Sequence, residues 1–126
     1  MLNAHDPMPM FTASQVDDGV VDYRDLWQRK QLVLVSLTEH DATRGPYVES
    51  LLAHAPALGQ ADTALVVTGD SIEGIPRPGV VVADRWGEVR FVASGRRAAD
   101  LPDAAALAEW VSSVGMECPE CQGETR

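Results

Sequence analysis

The segment that most constrains this chain is Leu32-Val33-Leu34-Val35-Ser36-Leu37, in which a single hydroxyl interrupts five aliphatic side chains. Successive side chains of a strand point to opposite faces, so an extended run of this composition carries apolar groups on both. A central strand covered on both sides satisfies that requirement. The run is also far too short to cross a bilayer, which takes about 20 residues. The covering layers must come from sequence before and after it.

Upstream, Phe11 to Val16 reads as a short strand, Asp17-Asp18-Gly19 as a turn and Val20-Val21-Asp22 as the returning strand of a hairpin. Tyr23 to Lys30 reads as one or two helical turns, with Asp22 as N-cap and Leu26 and Trp27 facing inward. Downstream, Gly45-Pro46 opens a helix, since the missing N–H of proline costs nothing in a first turn. Tyr47, Leu51, Leu52 and Ala55 recur at helical spacing, and Pro56 and Gly59 are expected to stop that helix. Ala64 to Thr68 is a second buried strand. A loop with Pro76 and Pro78 follows, then a hairpin of Val80–Ala83 and Glu88–Ala93 about the turn Asp84-Arg85-Trp86-Gly87. Pro102 and Asp103 open a last helix whose apolar face is Leu107, Trp110, Val111 and Val114. The expected organisation is one domain over residues 1–115 and a tail over 116–126.

Composition sets outer limits. The chain has 126 residues, 45% hydrophobic and 23% charged, which is globular rather than disordered. Nineteen acids against ten bases give a formal net charge of −9, so no nucleic acid and no polybasic membrane contact is expected. Met1 to Pro7 has neither a charged nor an apolar leader region, which makes the cytoplasm the expected address. The two cysteines, Cys118 and Cys121, make one CxxC pair near the C-terminus and no disulfide framework.

The order of elements, with these residues, resembles the thioredoxin fold, specifically the redoxin branch of peroxiredoxins and TlpA-like proteins. Four stretches carry the resemblance: "DPMPMFTA" (6–13), "DYRDLWQRKQLVLVSL" (22–37), "RPGVVVADRWGEVRFV" (77–92) and "LPDAAALAEWVSSV" (101–114). It implies an α/β thioredoxin-like three-layer sandwich, a central mixed sheet of four to five strands with helices on both faces. It also implies that Pro78 is the family's cis-proline, facing the active site. The family's chemistry belongs at the start of the helix after the first central strand, where unpaired N–H groups and the helix dipole favour a thiolate. Counted from Val35, both the CxxC of thioredoxins and the Thr-x-x-Cys of peroxiredoxins fall on Ala42 and Gly45, and neither is cysteine.

Several residues remain as candidates, each with a plain reading beside the functional one. His40, Asp41 and Arg44 occupy the place of the lost site. They read as an anion pocket at the helix N-terminus, as a His40 acid–base group oriented by Asp41, or as a solvated loop. Cys118-Pro119-Glu120-Cys121 reads as half of a zinc or iron knuckle completed by a second chain, as a redox dithiol, or as a tail without a role. Glu117, Glu120 and Glu124 disfavour a thiolate there unless a metal supplies charge. Ser94-Gly95-Arg96-Arg97 is the local basic cluster, a dock for an anion or acidic partner or simply a solvated loop. Trp86, at a turn tip, reads as a contact surface, Trp110 as core, and His5 and His54 as surface residues.

Two functions follow as expectations. In the first, the chain is an accessory, binding or regulatory protein or subunit, with a protein partner or a second copy held through the Cys-Pro-Glu-Cys clasp. In the second, it is a thiol-disulfide oxidoreductase that uses the C-terminal dithiol.

Overall fold

The computed structural model describes residues 2–16 and 19–116. Along the chain come β1 (Thr12–Ser14), β2 (Val20–Asp22), a 3₁₀ turn at Tyr23–Asp25, β3 (Gln31–Ser36), α1 (Arg44–Gln60) and β4 (Thr63–Thr68). Then follow β5 (Gly79–Ala83), β6 (Val89–Ser94), a second 3₁₀ turn at Ala98–Asp100 and α2 (Ala104–Met116). The four longer strands form a sheet in the order β4-β3-β5-β6, and β1 and β2 form a separate hairpin.

The apolar run becomes β3, buried at every position. It pairs parallel with β4, which requires the α1 crossover, and antiparallel with β5. Its side chains divide strictly between two cores. Val33 and Val35 join Val67, Val80 and Val82 beneath Leu51 and Leu58 of α1 and Leu107, Val111 and Val114 of α2. Leu32 and Leu34 join Val66, Val81 and Ala83 on the other side, under Met8, Phe11, Ala13, Tyr23 and Ile75. In the β5–β6 ladder the register steps over Arg90, so Val89 opposes Ala83 while Phe91 opposes Val82. This bulge puts Val89 and Phe91 in different cores although they are two residues apart.

The architecture is the expected three-layer α/β sandwich with a four-stranded mixed sheet, but its third layer is not helical. Both α-helices share one face. The second face is covered by the N-terminal segment, the hairpin and the 3₁₀ turn of Tyr23, whose ring stacks on Phe11 at 5.4 Å. The connection from β4 to β5 (69–78) forms no helix, as two glycines and two prolines in ten residues dictate. Gly79 ends it under constraint: a Cβ there would meet the Pro76 carbonyl oxygen at 2.4 Å.

Three local expectations are corrected. The helix expected over Tyr23–Lys30 is only the 3₁₀ turn, and its threefold repeat turns Tyr23 and Leu26 inward. Trp27 therefore lies outside, 39% exposed, its Nε1–H donating to the Trp86 carbonyl at 3.2 Å. Nor do Pro56 and Gly59 stop α1, which runs through both to Gln60. Pro56 sits on the exposed side, where a lost backbone bond faces water, and Leu58 beyond it is anchored in the core.

Candidate functional site

The C-terminal ends of β3 and β4, the start of α1 and the loop before β5 converge at one pole of the sheet. The central feature there is Asp41. Its Oδ1 accepts from the Thr43 N–H at 2.8 Å and the Thr43 hydroxyl at 2.6 Å, and its Oδ2 accepts from the Ala98 N–H at 2.5 Å. Thr43 Oγ1 in turn accepts from the Ala99 N–H at 3.1 Å. Two side chains of the α1 entry loop thus satisfy the first N–H groups of the second 3₁₀ turn. The Thr43 and Ala98 bonds hold the Asp41 carboxyl below the usual carboxylate range, with help from the positive charge of Arg97. Arg96 and Arg97 are fixed beside it, because Asp100 Oδ2 accepts both of their N–H groups at 3.1 Å.

His40 is exposed, and among the described residues no hydrogen bond joins it to Asp41. The acid–base pair expected of these neighbours is not assembled. Ala42 is exposed in the entry loop, and Gly45 lies in the first turn of α1, where a Cβ would meet nothing within 4 Å. The pole holds no side-chain nucleophile at either position.

The Arg77–Pro78 bond is cis. Pro78 is buried, and its carbonyl accepts from the Gly95 N–H at 3.4 Å. The preceding residue is the one sequence reasoning missed. Arg77 donates through Nε to the Leu37 carbonyl at 3.1 Å and through Nη2 to the Gly69 carbonyl, tying together the ends of β3 and β4. Its position between Pro76 and Pro78 was the available signal: a long cation in a loop pinned on both sides. Arg44 reaches the same place, its Nη2 3.7 Å from the point a Cβ on Gly69 would occupy.

Beside the start of α1 opens a cleft of about 540 Å³ with an apolar floor of Val16, Val48 and Leu52 and a rim that includes Glu39, Arg44 and Glu49. Tyr47 closes the pole against α2, its hydroxyl donating to the Pro102 carbonyl at 2.7 Å, and burial pushes that hydroxyl's pKa up. The other candidates lie apart from this cluster. Trp86 is 45% exposed with the Arg85 guanidinium 5.6 Å from its ring centre, while Trp110 packs on Phe91 at 4.8 Å. His5 is exposed and lies 3.4 Å from Glu88, and His54 Nδ1 is 3.0 Å from the Ser50 carbonyl. Cys118 and Cys121 lie outside the described residues. Among the described residues no group of three or more His, Cys, Asp or Glu is placed to hold a metal, and no helix is long and apolar enough to cross a membrane.

This strand order and the placement of α1 and α2 define a thioredoxin-like fold. Solved structures agree. The chain superposes on the reduced 2-Cys peroxiredoxin of Plasmodium vivax with a TM-score of 0.73 at 10% identity, covering 90% of this chain and 82% of that one. A yeast mitochondrial 1-Cys peroxiredoxin gives 0.71 at 10% identity, over 92% and 78%. A thioredoxin-family thiol:disulfide interchange protein from Chlorobium tepidum gives 0.61 at 14% identity, over 91% and 99%. No family model matches the sequence, and no curated protein matches it either. At these identities the likeness concerns the fold.

Proposed function

We propose that this chain is a redoxin-type scaffold that works by binding, as an accessory or regulatory protein or subunit, and that Cys118 and Cys121 form a metal or dimer clasp. One observation carries the reading. At the pole where peroxiredoxins and thioredoxins keep their thiols, the entry loop of α1 is committed to structure through Asp41 and Thr43, and Ala42 and Gly45 supply no nucleophile. Fold alone does not transfer an activity without the groups that perform it.

Near the end of α2, a Cβ on Gly115 would lie 3.1 Å from Gln31 Nε2, at the start of β3, whereas the start of α2 lies near Tyr47 at the Asp41 pole. Cys118 follows Met116, the last residue of α2, by two residues. Two cysteines are half of a tetrahedral zinc set, and a two-fold pair of chains completes it.

Native mass spectrometry of the protein isolated without reductant tests this. A dimer carrying one zinc or iron, lost in Cys118→Ser, is the expected result. A metal-free monomer about 2 Da lighter than the reduced mass, restored by reductant, would favour the dithiol oxidoreductase instead. Hydroperoxide turnover that survives both Cys118→Ser and Cys121→Ser would defeat the reading.

A further inference from the structure

Arg44 and Arg77 come from different parts of the fold and bring their guanidinium groups to one residue, Gly69, at the end of β4. Neither forms an ion pair with a carboxylate among the described residues. That is unexpected in a chain with 19 acids and 10 bases, where a cation finds a partner easily. The acids nearby are otherwise placed. Asp41 is saturated by Thr43 and Ala98, Asp70 Oδ2 accepts from the Ser14 N–H at 2.8 Å, and Glu39 and Glu49 line the cleft without pairing to Arg44.

Arg44 sits where a cation is disfavoured. Two guanidinium groups at one residue repel each other. Arg44 is also the first residue of α1, at the positive end of the helix dipole, and the first turn has no acidic residue to offset it. Arg77 spends Nε and one Nη2 proton on the Leu37 and Gly69 carbonyls, and among the described residues its remaining N–H groups, on an exposed side chain, have no partner. Among the described residues none of the five donors of Arg44 is taken. A negative ligand relieves both the mutual repulsion and the dipole penalty, and the planar forks of arginine suit oxyanions.

We infer that Arg44 and Arg77 form an oxyanion-binding site at Gly69, taking a phosphate or carboxylate group. This deepens the reading of that pole as a binding surface and rests on it. The helix end lends positive potential to the site, and the two side chains make it one.

The test is NMR of the full chain, observing backbone amides and arginine Nε–H groups while inorganic phosphate, or in a second series acetate, replaces chloride at constant ionic strength. Saturable shifts at Arg44, Arg77 and Gly69 are expected, with apparent affinity reduced about tenfold or more in Arg44→Gln. Arg44 makes no side-chain hydrogen bond among the described residues, so this variant keeps the fold, which its amide spectrum verifies. Arg77→Lys retains a cation near the two carbonyls and should weaken binding less. Saturation by phosphate alone assigns a phosphate group, and saturation by acetate assigns carboxylates as well. Shifts that never saturate, or that are the same in Arg44→Gln, overturn the site. If the site fails while the cysteine-dependent dimer is found, this inference falls and the accessory reading stands. If the anion binds and no clasp is found, the reverse holds.

Discussion

The carboxylate of Asp41 accepts the backbone N–H of Ala98, 57 residues further along the chain, at 2.5 Å. That bond joins the loop entering α1 to the 3₁₀ turn that precedes α2. It is why a loop with the composition of a polar pocket works as a strut.

Asp41→Asn should therefore destabilise the fold in a pH-dependent way. The folded-state pKa of Asp41 lies below its ordinary 3.8, so its carboxylate stabilises the native state above that value, and the contribution disappears as pH falls through the lower, native pKa. Denaturant unfolding of wild type and variant should differ at pH 7 and converge in strong acid. A difference that persists unchanged to strong acid would refute the ionic account.

Tyr23 is fully buried, and among the described residues its hydroxyl has no hydrogen-bond partner. Burial, with the charge of Asp84 nearby, pushes its pKa up from 10.0 to about 12. The neutral form is thus favoured in the folded state: its stabilisation is complete below pH 10 and is lost between 10 and about 12. Tyr23→Phe removes an unsatisfied polar atom while keeping the ring on Phe11. It should be neutral or stabilising by about 1 kcal/mol at pH 7 and should remove that alkaline loss. Thermal melts at pH 7 and pH 11 check both.

Gly87 has φ +86°, and a Cβ on it would lie 2.7 Å from Trp27 Nε1. Gly87→Ala then combines backbone strain with displacement of the indole from the Trp86 carbonyl. A loss of about 1–3 kcal/mol is expected, with a changed indole Nε1–H resonance for Trp27. An unaltered resonance would show that the turn, and not the indole, absorbs the change.

Gly45 offers a direct probe of this pole. With no heavy atom of the described residues within 4 Å of a Cβ there, beyond its chain neighbours and the helix's own backbone, Gly45→Cys should fold normally in a Cys118→Ser, Cys121→Ser background. At the first turn of α1 that thiol should have a pKa below the ordinary value of about 8.5. The pH dependence of its alkylation measures this, and an unshifted pKa would mean that the helix end no longer supports a thiolate.

How much of this was legible in the sequence depends on how local its cause was. The β3 run, the Asp84–Gly87 hairpin and the α2 stripe follow from short-range patterns and appear where those patterns put them. Asp22 caps the first 3₁₀ turn, accepting from the Arg24 N–H at 3.0 Å, as its neighbours indicated. Pro56 misled because a helix held by Leu58 tolerates a defect facing water. Trp27 misled because a 3₁₀ turn and an α-turn put different residues inward. The long-range work of Asp41 and Arg77 was far less legible. Apart from the local Thr43 bonds, their partners are backbone groups, which carry no residue identity, brought in from Leu37, Gly69 and Ala98 by the completed fold.

One detail of β6 has a genetic consequence. Adding or removing one residue in a sandwiched strand ordinarily turns every side chain beyond it to the wrong side, and the reading frame of the sheet is lost. Here the ladder already steps over Arg90, and Val89, Phe91 and Val92 would alternate correctly without it. The core pattern of the strand is in frame on both sides of one surplus codon, whose side chain pairs instead with Asp84 at 3.6 Å and Glu88 at 3.7 Å. No such allowance exists in β3, where the register runs without a step from Gln31 to Ser36.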